Sequence, residues 1–188
     1  NKTMRTITGA IKSTPTPWLP VLSNIAPPDL RRTHATAREK DKIKKNPQLP
    51  AFRDIFHPPH KRLKSRKPIW TVETNDFNLE GKWKERWATE KLKNKHIITN
   101  PNTRVPGFDL PRKVWVQQNR VRTEHGCCNY SLWRWGKRDS PDCECGTEQT
   151  MKHIVQECHI KKFSGSLQDI HEATPEAVDW LAALDPRL

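Results

Sequence analysis

Three cysteines and one histidine within sixteen residues constrain this chain more than any other feature of its sequence. The four are Cys143, Cys145, His153 and Cys158, and their spacing is C-x-C-x7-H-x4-C. The chain of 188 residues has only five cysteines, so three of them in one window form a concentrated pattern. Structural zinc takes four such ligands in a closed tetrahedron. The spacing therefore predicts a structural zinc site at these four residues.

The residues between the ligands determine how such a site would close. A turn with positive φ at Gly146 would let Cys143 and Cys145 face one ion. His153 and Cys158 are five positions apart, about 140° around an α-helix. Both reach one ion only if the helix ends or unwinds near Cys158. The alternative reading is a group of buried free cysteines with a surface histidine. Three further residues are candidate substitute ligands, although simple burial is the expected role of the two adjacent cysteines: Cys127, Cys128 and His159.

The composition argues against one compact core. The mean hydropathy is −0.90, the net charge is +13, and sixteen prolines stand against seven glycines. We expect folded patches joined by extended, proline-rich segments. Residues 31–70 carry thirteen Lys and Arg against three acids, whereas residues 143–188 carry four against eight. A positive charge of this strength favours a polyanionic partner, most simply nucleic acid.

Two sets of basic residues are candidate phosphate contacts. The first is a run in a proline-rich segment: Lys61, Arg62, Lys64, Arg66 and Lys67. Its alternative role is a nuclear-localisation signal or a solvated basic run. The second set flanks a predicted helix at 111–123: Arg112, Lys113, Arg120 and Arg122. Trp115 lies among them, either as a surface for stacked bases or as a core residue between exposed arginines.

Periodicity and capping residues predict a mainly α, irregular fold. The predicted helices cover 17–24, 29–45, 77–95, 111–123, 150–157 and 174–184, with Asp29 as a helix cap. No strand is predicted beyond a hairpin at 140–147. A basic, proline-rich N-terminal part precedes a small zinc-stapled C-terminal module. We predict four segments: a helical segment at 1–45, a basic linker at 46–70, a helix and loop at 71–110, and the zinc module at 111–188.

Cysteine usage and hydropathy indicate where such a chain would work. The odd cysteine count and the lack of an apolar signal sequence favour a reducing, intracellular compartment, nuclear or cytoplasmic. No apolar run approaches the roughly 18 residues of a membrane span. We therefore expect no membrane partner.

Several strings around the metal pattern resemble the C-terminal region of non-LTR retrotransposon reverse transcriptases, the LINE-type elements of the jockey and RTE kind. They are NRVRTEHG at 119–126, NYSL at 129–132, WG at 135–136, SPDCECG at 140–146, QTMKHIV at 149–155 and Cys158. ITGA at 7–10 and TPTPWLPVLSNIAPP at 14–28 resemble the segment that follows the palm and thumb of these polymerases. This chain departs from the family at Glu124, where the family often has glycine.

The resemblance implies a thumb-derived helical segment at 1–45 and an arginine-rich helix ahead of a CCHC zinc knuckle. It also implies RNA or DNA as the partner, together with the rest of a reverse transcriptase polyprotein. The parent activity would be RNA-directed DNA polymerisation, but this chain lacks the Tyr-x-Asp-Asp hairpin that holds the catalytic metals, and its only tyrosine is Tyr130. We expect a nucleic-acid-binding C-terminal fragment that is not catalytic alone. The alternatives are a structural or protein-interaction zinc module and a decayed retroelement fragment.

Overall fold

The computed structural model describes residues 1–57 and 77–185. Across these ranges the chain is mainly helical, as predicted, and an isolated antiparallel bridge between Asp142 and Glu148 is their only extended pairing. No helix in these ranges is long and apolar enough to cross a membrane. The predicted phosphate contacts Lys61, Arg62, Lys64, Arg66 and Lys67 lie outside the described residues.

The helices are short and joined by turns. The described α-helices are α1 (Lys2–Thr8), α2 (Trp18–Ser23), α3 (Pro28–Lys44), α4 (Pro50–Phe56), α5 (Leu79–Thr89), α6 (Arg112–Thr123), α7 (Asn129–Arg134), α8 (Leu167–Glu172) and α9 (Pro175–Ala183). A 3-10 turn covers Lys95–Ile97 and a π-helical turn covers His153–Glu157. The chain divides into two compact units. The larger combines Asn1–Ile25 with the residues from Thr89 onward, and the smaller is Ala26–Ala88.

Three of the predicted helices are confirmed by α2, α6 and α9. Helix α6 begins after Pro111, which serves as its N-cap residue, and α9 begins after Thr174, whose hydroxyl accepts a hydrogen bond from the Ala177 N–H at 3.4 Å. Proline at or next to the first turn suits a helix start because its missing N–H has no intrahelical partner there. The hairpin predicted at 140–147 is reduced to the single bridge between Asp142 and Glu148.

Other boundaries differ from the prediction. The helix predicted at 77–95 ends at Thr89, and Asn94 has a left-handed φ of 55° that cannot continue a helix. Asp29 does not cap α3, because Pro27 is the N-cap residue and Asp29 lies in the first turn. There its carboxylate accepts from Arg86 Nη1 at 2.8 Å. Helix α4 occupies part of the predicted linker, starting at a proline.

Helix α6 is the centre of the larger unit. Eight of its twelve residues are buried, and it contacts α1, α8 and α9. The hydrophobic core around it draws on α6, α8, α9 and the segment that carries the predicted metal ligands: Val114, Val121, Cys128, Met151, Ile154, Val155, Phe163, Ile170, Ala177, Leu181 and Leu184. Ile154 and Val155 belong to the π-helical turn of His153. Core packing therefore positions the metal ligands.

Polar side chains of α6 also donate hydrogen bonds to backbone carbonyls at or just after the ends of neighbouring helices. Gln118 donates from Nε2 to two carbonyls of α8 at 2.8 and 3.2 Å, and Gln117 donates to two carbonyls just after α9 at 3.2 and 3.0 Å. Asn119 donates to the carbonyl of Thr8 at the end of α1 at 3.0 Å. The last carbonyls of a helix have no intrahelical donor. One helix thus supplies donors to three others.

The smaller unit buries little. Helix α3 has 17 residues, of which only Ala37 is buried. Ile55, Trp83 and Trp87 complete the buried hydrophobic residues among the described part of this unit. Trp83 and Trp87 lie four positions apart on α5 and both face inward, which makes them packing residues.

Candidate metal centre

The structure brings the four predicted ligands together. The Sγ atoms of Cys143, Cys145 and Cys158 and a ring nitrogen of His153 all lie within 4.8 Å of one another. Cys143 Sγ lies 3.8 Å from Cys158 Sγ, and Cys145 Sγ lies 3.1 Å from His153 Nε2. A tetrahedron with zinc–sulfur bonds of about 2.3 Å has a sulfur–sulfur edge of about 3.8 Å. The cluster can therefore hold a metal ion and is consistent with zinc.

The first two ligands are presented by a tight loop. Cys143 N donates to the carbonyl of Thr147 at 2.7 Å, and Gly146 N donates to the carbonyl of Cys143 at 2.9 Å. Gly146 has a φ of 85°, as predicted for this position. No atom lies within 4 Å of where its Cβ would be, so backbone conformation and not space favours glycine here. The loop turns the side chains of Cys143 and Cys145 toward one point.

The other two ligands come from the π-helical turn. Cys158 N donates to the carbonyl of His153 at 2.7 Å, a bond that spans five residues in place of four. This wider turn carries Cys158 around to the side of His153. The chain leaves the helix at Cys158, which has an extended ψ of 118°. The expectation that the helix must unwind or end near Cys158 is confirmed.

Burial and hydrogen bonds act in opposite directions on the Cys143 thiol. Burial alone would raise its pKa, but the backbone N–H of Cys145 and the side chains of Gln149 and His153 lower it to about 6. Gln149 Nε2 lies 3.6 Å from the Cys143 sulfur. Hydrogen bonds to the charged form stabilise a thiolate, which is the form that binds metal.

Cys158 is the most deeply buried ligand, with no exposed surface. Burial raises the pKa of its thiol. The backbone N–H groups of Ile160 and Lys161 partly oppose this by lowering the pKa, because they favour the thiolate. Lys161 Nζ also lies 2.8 Å from the Glu144 carboxylate, and that contact is the main reason why the pKa of Lys161 is raised. A bound cation would offset the burial of the thiolates at this position.

The remaining ring nitrogen of the histidine ligand also has a neighbour. His153 Nδ1 lies 4.0 Å from a carboxylate oxygen of Glu157. This distance is too long for a hydrogen bond, so the carboxylate is only a nearby charge. Because four protein side chains form the cluster, a tetrahedral ion held by all four would have no position for water or substrate.

The alternative ligands do not join the cluster. Cys128 is buried in the hydrophobic core, with its sulfur 3.3 Å from Ser131 Oγ. Cys127 is half-buried and His159 is exposed. All five cysteines are free thiols, without a disulfide.

Arg122 does not face the surface. It is completely buried, with Nε donating to His171 Nδ1 at 3.0 Å and Nη2 donating to the carbonyl of Pro106 at 2.6 Å. Its guanidinium also lies 5.6 Å from the centre of the Trp115 ring, which is itself in the core. Burial lowers the pKa of Arg122 to about 9. The proposed phosphate contact at Arg122 does not fit this geometry, because α6 turns that side chain inward.

The other three predicted contacts of α6 are more accessible. Arg112 and Lys113 are exposed, although Arg112 donates to carbonyls at the end of α1 and Lys113 Nζ donates to a carbonyl of α9 at 2.6 Å. Arg120 is half-buried and, together with Lys2 and Arg5, lines an open cavity of about 510 Å³. Positive charge therefore remains near the surface on this side of α6.

Comparison of the chain with protein-family models, with curated proteins and with solved structures finds no match. What the metal centre does is therefore inferred from its own residues. Those residues form a closed, partly buried ligand set that links the loop at 143–147 to the turn at 153–158.

Proposed function

We propose that this chain is a zinc-stabilised, nucleic-acid-binding segment from the C-terminal region of a non-LTR retrotransposon reverse transcriptase. The observation that supports it most is the closed cluster of three cysteines and one histidine in a chain of net charge +13. The cluster accounts for how a polar chain holds a small fold, and the charge accounts for the partner.

Zinc is the ion that best suits the ligand set. Three thiolates and one imidazole in a tetrahedral arrangement favour zinc over magnesium or calcium, which take oxygen ligands. Bound there, the ion would act structurally, by cross-linking the loop that carries Cys143 and Cys145 to the turn that carries His153 and Cys158. These side chains would hold the ion, and no step of catalysis is assigned to it.

Nucleic acid is the partner that the charge distribution favours. Lysine and arginine side chains that contact phosphates release condensed counterions, so binding falls steeply as salt rises. The basic run at 61–67 and the exposed Arg112 and Lys113 are the residues proposed to supply this attraction. In a complete polymerase of this kind, such a segment would hold template RNA or target DNA while another domain performs the synthesis.

The test is salt-dependent binding measured by fluorescence anisotropy. The zinc-loaded chain is titrated against labelled single-stranded RNA, single-stranded DNA and duplex DNA at several salt concentrations. We expect the logarithm of the association constant to fall linearly with the logarithm of salt concentration. Substitution of the five basic residues of the run at 61–67 by alanine should weaken binding and reduce that slope.

A charge-matched variant controls for the loss of net charge. It replaces five exposed basic residues of α3 and the adjoining position by alanine: Arg31, Arg32, Arg38, Lys44 and Lys45. Equal losses in both variants would mean that binding follows net charge and not the basic run. Failure of the zinc-loaded chain to bind any of these nucleic acids would overturn the proposal and leave a structural or protein-interaction module as the better account.

A further inference from the structure

A cavity of about 530 Å³ opens in the larger unit, beside the segment that carries His153. Its lining combines aromatic and basic side chains, none of them a metal ligand: Lys93, His125, Tyr130, Arg134, Trp135 and Lys152. One acidic residue, Glu124, also lines it. The cavity thus combines an aromatic surface with positive charge in a concave site.

Most of the charge around the cavity is already paired, and Arg134 is the exception. Lys93 Nζ lies 2.9 Å from a carboxylate oxygen of Glu124, and Lys152 Nζ lies 2.6 Å from one of Glu157. The guanidinium of Arg134 is exposed and makes no hydrogen bond or ion pair within residues 1–57 and 77–185. It is therefore available to an anion at the mouth of the cavity.

Trp135 provides the aromatic surface. Its side chain is 42% exposed, whereas Trp18, Trp83 and Trp115 are each at most 6% exposed. Trp133 is equally accessible, at 45%, but it does not line the cavity, and its ring centre lies 6.2 Å from that of Tyr130. What distinguishes Trp135 from Trp133 is its position on the cavity wall, where an exposed indole lies beside an unpaired guanidinium.

The metal centre positions this cavity. Part of its wall is formed by Thr150, Met151 and Lys152, which lead directly into the predicted ligand His153. The backbone N–H of His153 donates to Thr150 Oγ1 at 3.1 Å. Met151 is buried in the core. A metal ion that fixes His153 would therefore also fix this wall.

We propose that the cavity binds one unstacked nucleotide of a single strand, with its base stacked on Trp135 and its phosphate contacting Arg134. Every nucleobase has a flat face that stacks on an aromatic side chain, and the neighbouring phosphate requires a cation. Trp135 can stack on the base, and the unpaired guanidinium of the adjacent Arg134 can contact the phosphate. This proposal rests on the proposed nucleic-acid binding and identifies a surface for it.

An abasic strand separates base stacking from charge. Labelled oligo(dT), oligo(U) and an abasic deoxyribose strand of the same length carry equal phosphate charge, and only the abasic strand lacks bases. We expect the zinc-loaded chain to bind the strands with bases more tightly than the abasic strand by at least about fivefold. A further arm with oligo(dU), which differs from oligo(U) only in the sugar, shows which sugar the site prefers.

Variants then locate the stacking surface. Trp135→Ala should remove the preference for strands with bases, Trp135→Phe should retain much of it, and the matched control Trp133→Ala should leave it unchanged. Arg134→Gln should weaken binding of all three strands, because it removes a phosphate contact. Circular dichroism and metal content should match those of the parent chain in each variant.

The outcomes distinguish the two proposals. Absence of binding to any strand would overturn the nucleic-acid function itself. Equal affinity for strands with bases and for the abasic strand would overturn the nucleotide site and leave nucleic-acid binding in place. Equal effects of Trp135→Ala and Trp133→Ala would do the same.

Discussion

The two compact units differ in how they bury their residues. In the larger unit, α6 has eight buried residues out of twelve, including glutamines, an asparagine and an arginine. In the smaller unit, the 17-residue α3 buries only Ala37. The larger unit contains all five cysteines, whereas residues 26–88 contain none.

The comparison indicates what a polar chain needs in order to bury a helix. Helix α6 buries its glutamines, Asn119 and Arg122 because their side chains donate to carbonyls near helix ends or to another side chain. The proposed zinc cross-link would hold the surrounding loops. Helix α3 has no comparable arrangement among the described residues and stays exposed on most sides. Buried polar contacts, together with the proposed metal cross-link, would thus replace part of the hydrophobic core.

Metal removal should cause the largest difference in stability between the two units. Chelation by excess EDTA should unfold much of the larger unit, because structural zinc contributes about 10–16 kcal/mol of apparent binding free energy in small zinc domains. Hydrogen exchange followed by mass spectrometry should show faster exchange of amides across 111–185. Amides at 26–57 and 77–88 serve as the internal control. Equal acceleration in both units, or in neither, would contradict the comparison.

The next largest effect on the stability of the larger unit is expected from the buried guanidinium of Arg122. Arg122→Met should destabilise the larger unit by about 3 kcal/mol, because neutral acceptors on Asn119, His171 and Pro106 would lose their donor. Chemical denaturation of the metal-loaded chain measures this loss. Arg138→Met, at an exposed arginine, is the matched control and should change stability by no more than about 0.5 kcal/mol. A small effect of Arg122→Met would mean that the polar contacts of α6 do not stabilise the unit.

His171 should make the larger unit sensitive to acid. Burial, and then the charge of Arg122, lower the pKa of its imidazole to about 4, whereas the unfolded chain has about 6.5. The unfolded state therefore takes up a proton first as the pH falls. His171 therefore does not lower the free energy of unfolding above about pH 6.5. Toward pH 4 it lowers that free energy by about 2 kcal/mol, less than the full shift would give because solvent screens part of the imidazole.

His171→Asn isolates this effect from acid release of the metal. The variant should be less stable than the parent chain at pH 7, and the gap should narrow between about pH 6.5 and 4. Metal release affects both chains in the same way and cancels in the difference. Parallel pH profiles for the two chains would show that His171 does not titrate as its surroundings indicate.

The smallest effect on stability is expected from a substitution at Glu124, just after the end of α6. Glu124 has a left-handed φ of 54°, a conformation that glycine adopts without strain. Glu124→Gly should stabilise the larger unit by about 0.5 kcal/mol, since relief of about 1 kcal/mol of backbone strain outweighs the loss of the ion pair with Lys93, whose ammonium is exposed. Ala173→Gly, at a φ of 60° without an ion pair, is the comparison variant, and thermal unfolding measures both. Destabilisation by both would contradict the argument from backbone strain.

The metal ligands could be predicted from the sequence because their spacing is local. The turn at Gly146 and the end of the helix at Cys158 followed from the same spacing and are confirmed. Helix α8 was missed, although Ser166 and Asp169 form a capping box that the sequence displays. The left-handed residue at Glu124 coincides with the position where the resembling family often has glycine.

The hydrogen-bond partners of the arginines could not be predicted in the same way. Arg120 and Arg122 are two positions apart on one helix, yet one is half-buried beside an open cavity and the other is completely enclosed. Periodicity places Arg122 on the face of Val114 and Val121, but its partners come from distant segments. The cavity at Trp135 was missed for the same reason, because long-range packing forms its walls.

Metal content measured by elemental analysis tests the central claim most directly. The chain is purified without a metal-affinity tag, alongside a Cys143→Ser/Cys158→Ser variant. The account predicts about one zinc per chain in the parent and none in the variant, since both substitutions remove thiolate ligands. Absence of zinc from the parent, or full retention of zinc in the variant, would contradict the proposed metal centre and the comparison between the two units.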